Sequence, residues 1–132
     1  MKRLISAKLA ANILLTFISL LLIFHVLIIL GILPFSIVWG GQIDESKENL
    51  ILLELIAIII LILFMTIIAS KIGYIGIIKS EKISTFGLWI ISVYFVLNAF
   101  GNLASDVPIE NYVFAPLTII LALLSFRLTI EK

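Results

Sequence analysis

Apolar and polar positions alternate along this chain in long blocks, with four apolar runs separated by short polar stretches. The first run covers residues 9–33, between Lys8 and Pro34. As a helix it would be roughly 37 Å long at ~1.5 Å per residue, enough to cross a bilayer with tilt. The second covers residues 50–70, between Asn49 and Lys71, and is interrupted by Glu54 near its start and by Thr66 and Ser70 near its end. The third, residues 85–103, carries Ser92, Asn98, Gly101 and Asn102. These polar and small residues suggest that one of its faces meets protein rather than lipid. The fourth, residues 113–128, is short at roughly 24 Å, but Tyr112 and Arg127 suit interfacial anchors. The pattern predicts an all-α membrane protein, a single four-transmembrane-helix bundle over residues 1–132. Pro34, Gly40 and Gly41 break the apolar stretch 34–42, which places Phe35, Ile37, Val38 and Trp39 along the outer interface.

Composition agrees with this reading. The chain is 63% hydrophobic and 13% charged, against about half apolar and a quarter charged in soluble domains. Lys2, Arg3 and Lys8 resemble the basic segment of a signal peptide, but the apolar run exceeds the usual ~7 to 15 residues and no small-residue cleavage site follows. The first run is therefore expected to be an uncleaved span. Eight of the nine Lys and Arg residues fall in the N-terminal segment, the second loop and the C-terminal tail, and only Lys47 lies in the first or third loop. By the positive-inside rule both termini are expected to be cytoplasmic, in a multi-pass protein of the plasma membrane. The net charge of +1 comes with no basic block, which argues against a nucleic-acid partner. There is no cysteine, which excludes thiol chemistry and S-palmitoylation.

The polar residues inside the spans are costly unless partnered. Glu54 lies about 6 Å inside the outer end of the second run, Asn98 about 8 Å inside that of the third, and His25 roughly 12 Å inside that of the first. Asn102 is at the rim. Tyr94, Asn98 and Asn102 share a stripe at i, i+4, i+8, with Gly101 and Ser105 close by, and this stripe is expected to face another helix. Ala115, Thr118, Ala122 and Ser125 form a small-residue face on the fourth span. On the first, Ala7, Ala11, Ile18, His25 and Ile29 share a face, while Asn12, Thr16 and Ser19 occupy another.

Two readings of the outer-half group follow. In one, His25, Glu54, Asn98 and Asn102 line a polar pocket open to the outer face, with His25 and Glu54 a proton-sensitive pair and the two amides binding a ligand. In the other, the same groups satisfy one another and hold the bundle in register. Glu54 alone also fits a helix N-terminus, where a carboxylate complements the macrodipole. With one His per chain, bis-His haem ligation would require a dimer, and carboxylates are too few at ligand spacing for a metal, so no cofactor is expected. Neither a nucleophile elbow, a zinc-protease motif nor a phosphate-binding glycine loop occurs. Asp44, Glu45 and Glu48, beside Lys47, read as a solvated loop.

Trp39-Gly40-Gly41 after the first span, and Leu97-Asn98-Ala99-Phe100-Gly101-Asn102 leading through Glu110 to Phe114-Ala115-Pro116-Leu117-Thr118, resemble a family of small four-helix bacterial membrane proteins of unknown function. The resemblance covers nearly the whole chain and implies a fold but no activity. Such proteins often carry a His near the end of the first helix, where His25 stands, with a longer stretch before Trp39 here. The leading expectation is a non-enzymatic protein that binds a membrane protein or lipid partner in the bilayer, with homo-oligomer formation one route. The alternative is small-molecule transport or ligand binding through the polar pocket. Small multidrug exporters have a similar size and span number but rely on a carboxylate deep in the first helix, and this chain has none there.

Overall fold

The computed structural model describes residues 4–39 and 47–131, with the side chains of residues 47 and 48 outside that description. The expectations that concern Lys2, Arg3, Gly40, Gly41, Asp44, Glu45, Lys47, Glu48 and Lys132 therefore lie outside the described residues. Four helices are long and apolar enough to cross a membrane, and among the described residues there is no strand.

Helix α1 (Ala7–Ile29) starts two residues before the apolar run because Ser6 caps it, its hydroxyl accepting from Leu9 N–H at 3.1 Å. It ends four residues before the run does. Gly31, at φ 74°, adopts the left-handed conformation, so that its N–H bonds Ile28 O while Ile32 N–H bonds Leu27 O, both at 3.0 Å. This paired closure satisfies the last carbonyls and needs a residue without Cβ strain. Gly73, at φ 77°, closes α2 (Lys47–Lys71) in the same way, with Tyr74 N–H bonding Ala69 O. A single 3₁₀ turn, Phe35–Ile37, follows Pro34. Ser80 caps α3 (Glu81–Leu103), four residues upstream of the expected start, with Glu81 in the first turn favouring the positive helix end.

The fourth span starts earlier than its hydropathy indicates. A π-helical turn, Glu110–Phe114, precedes α4 (Ala115–Thr129), and the apolar span covers Glu110–Thr129 rather than 113–128. Pro116 is thus well inside the helical segment. It has no N–H to give, and the wider turn immediately before it, where Ala115 N–H bonds Glu110 O, takes up the break in the ladder.

The helices form a ring in which α1 packs on α2 and α4, and α3 on α4 and α2. Ala10, Ala11, Leu14, Ile18, Leu61, Phe64, Ile68, Leu88, Ile91, Phe95, Leu121 and Leu128 make the core. All four residues of the small face on the fourth span, Ala115, Thr118, Ala122 and Ser125, are buried. Ser125 meets Ser92 of α3 at 3.2 Å between hydroxyl oxygens, which draws these two helices close. Gly87 serves the same purpose between α3 and α2, since a Cβ there would stand 3.0 Å from the Ile67 side chain.

The end of the bundle opposite His25 is tied by buried cations. Lys71 Nζ, at the end of α2, pairs with Glu81 and donates to Glu131 O at 3.0 Å. Arg127 is buried in α4, donates through Nε to Ile5 O at 2.8 Å, and meets Glu131 at 2.6 Å. These contacts join all four helices at the end where positive charge concentrates.

Candidate functional site

The polar group where α1 ends and α2 begins is built around Glu54. Its position on the second turn of α2 turns it toward α1, and it is 0% exposed. Both carboxylate oxygens are engaged. His25 Nδ1 lies 2.5 Å from Oε2, and the Trp39 indole N–H donates to Oε1 at 2.7 Å. His25 belongs to the last turns of α1, four residues from its end, so it sits only about 6 Å below the helix terminus. Its side chain is 18% exposed, and its ring is held edge-on by Phe24 at 5.8 Å, which in turn packs edge-on against Phe114 of the π turn.

Trp39 pays for its contact in backbone conformation. Its φ of 56° is left-handed, a region that costs a bulky residue on the order of 1 to 3 kcal/mol. The indole bond and the burial of the neighbouring Val38, which is 5% exposed, offset that strain. The loop after α1 is thereby pinned onto α2 rather than lying freely along the interface, and the result is a three-residue clasp of α1, α2 and their connection. Hydropathy and turn residues alone place Trp39 at the outer interface and do not join it to Glu54; the signal for the contact is an indole donor beside two glycines and a carboxylate inside an apolar run.

His25 and Glu54 come together as their similar depths suggest, but Asn98 and Asn102 do not join them. Both amides are half-buried on α3. Asn98 Nδ2 donates back to Tyr94 O of its own helix at 3.2 Å, and Asn102 forms no side-chain hydrogen bond among the described residues. The four residues read as one pocket are thus two separate features: a closed clasp at α1–α2 and an amide pair on α3. A second buried carboxylate, Glu110, opens the π turn and accepts a hydrogen bond from Ser105, whose oxygen also accepts from Val107 N–H at 3.1 Å. Asn111 Nδ2 donates to Leu103 O at 2.8 Å and closes the end of α3. These bonds fix the α3–α4 turn.

Chemically the clasp can hold a proton between an imidazole and a carboxylate, and little else. Among the described residues no three His, Cys, Asp or Glu side chains converge to hold a metal. The open concavities lie on the wall of the bundle instead. One apolar groove is lined by Trp89, Ile90, Val93, Tyr94 and Leu97 of α3. The other runs between α3 and α4, past Trp89, Val96, Ala122, Leu123 and Phe126. No family model, curated protein or solved structure matches the chain.

Proposed function

We propose that this protein is a multi-pass plasma-membrane protein with both termini in the cytoplasm, and that it acts by binding a membrane protein or lipid partner through the outer wall of α3. The observation that carries this reading is the contrast between the closed clasp and the open wall of α3. Glu54 has no exposed surface and both oxygens are bound within the chain, so a ligand would have to break the clasp to reach it. The grooves beside Trp89 are open and face the direction in which lipid or another helix lies. A hydrogen-bonded clasp gives the bundle its register, and the apolar wall gives it a surface for association.

A photo-crosslinking side chain at Val93, which lines both grooves, tests the proposal in native membranes. A discrete adduct from Val93, absent from the same probe at Ile23 on the far side of the bundle, is the expected result. Proton-coupled uptake of a small molecule into vesicles holding the purified protein, abolished by Glu54→Gln, would support the transport reading and overturn this one.

A further inference from the structure

We infer that the partner on this wall is a second copy of the same chain, held by α3 packing on α3 about a two-fold axis along the membrane normal. The inference rests on the functional reading above and makes it specific. Three side chains on one side of α3 have hydrogen-bonding capacity that the monomer leaves unused. The Tyr94 hydroxyl and Asn98 Oδ1 have no partner among the described residues, and neither does the Asn102 amide. No buried side-chain nitrogen or oxygen among the described residues lacks a partner, so none of these three groups is fully enclosed: Tyr94 lines the groove, and the two amides are half-buried beside it. Tyr94 is near the middle of α3, nine residues from its end, and Asn98 about 8 Å from it. At those depths lipid chains offer nothing to bond, so such groups normally face protein.

The rest of the face suits a helix. Leu97 and Ile90 flank Tyr94 in the groove. Gly101 lies one turn beyond Leu97, with nothing within 4 Å of where its Cβ would stand. A glycine open to the outside lets a second backbone approach closely enough for short polar side chains to meet.

A second copy is selected by the chemistry of these groups. An amide and a phenol each donate and accept, so each finds its complement in its own image. A copy inserted in the same orientation also presents those groups at the same depth, which an unrelated helix would match only by carrying its own polar residue there. The face has no charged side chain, so nothing on it calls for an acidic or basic partner. A self-complementary patch on both subunits is the form a two-fold interface requires.

The sequence has no cysteine, which makes single-cysteine crosslinking of the full chain in lipid vesicles a clean test. Gly101→Cys and Leu97→Cys are expected to give a disulfide-linked dimer at high lipid dilution, and Ile23→Cys is not. Removing the polar groups with Tyr94→Phe and Asn98→Leu together, which keeps the ring packing of Tyr94 on Phe64, is expected to weaken association at least tenfold. Fluorescence energy transfer during lipid dilution reads that change, and each membrane hydrogen bond contributes on average roughly threefold. A monomer at every dilution, equal crosslinking at all three positions, or association unaffected by the double variant would overturn the inference. If the vesicle protein is monomeric while the Val93 probe captures a different protein or a lipid in native membranes, the second copy is refuted and the functional reading survives. If the probe captures nothing, both fall.

Discussion

Glu54 shows how a single buried residue among apolar helices acquires meaning from its partners. A carboxylate with no exposure is expensive, and the chain meets the cost with an imidazole from α1 and an indole from a loop held at positive φ. Removing only the indole N–H isolates that contribution. Trp39→Phe keeps the aromatic bulk and the strained backbone but leaves one carboxylate oxygen without its donor, and is expected to lower stability by about 1 to 3 kcal/mol, as measured by denaturant titration in mixed micelles. Glu54→Ala should cost more, since it strands both partners and opens a cavity. At the opposite end Arg127→Met removes the donor to Ile5 O. It is expected to destabilise by about 1 to 2 kcal/mol and to speed amide exchange in the first turn of α1, measured by hydrogen–deuterium exchange.

Among the elements, what could be read from the sequence was hydropathy, and what could not was hydrogen bonding at the helix ends. The four spans and the buried face Ala115, Thr118, Ala122 and Ser125 follow from apolar blocks and helical spacing. The boundaries moved where caps decide. Ser80 carries α3 upstream of its apolar run, and Gly31 ends α1 inside its own. The π turn at Glu110–Phe114 gives no periodic signal, because its cause is the missing N–H of Pro116. Asn12 and Thr16 are exposed on α1, which a polar-residue argument would turn inward. Thr16 meets its need by donating to Asn12 O at 2.8 Å, and Asn12 Oδ1 accepts from the Tyr74 hydroxyl at 2.7 Å. Local bonds of this kind hide in sequence. Gly87 yields a sharper expectation about helix separation. Gly87→Ala should be close to neutral, the helix-propensity gain offsetting a small shift of Ile67, whereas Gly87→Leu should force α2 from α3 and cost about 1 to 3 kcal/mol. Thermal unfolding of the two variants in the same detergent checks the difference.

For the whole molecule, asymmetry is the theme. Among the described residues the basic side chains gather at one end, with Lys71 and Arg127 buried there in bonds that tie the helices together. A reporter active only outside the cytoplasm, fused after Lys132, is expected to stay silent, because eight of nine Lys and Arg residues favour that end being inside. A strong signal would invert the topology. The division of labour between a closed clasp and an open wall is tested most directly by the Val93 photo-adduct in two altered chains. Replacing the clasp pair together, His25→Leu with Glu54→Met, removes the polar site while keeping apolar bulk, and replacing Leu97 by Asp disrupts the groove. The clasp variant, provided it retains its helical content, is expected to form the adduct at close to the original yield, and Leu97→Asp is expected to lose it. An adduct lost with the folded clasp variant and kept with Leu97→Asp would place the working site at Glu54 and contradict a binding role for the α3 wall.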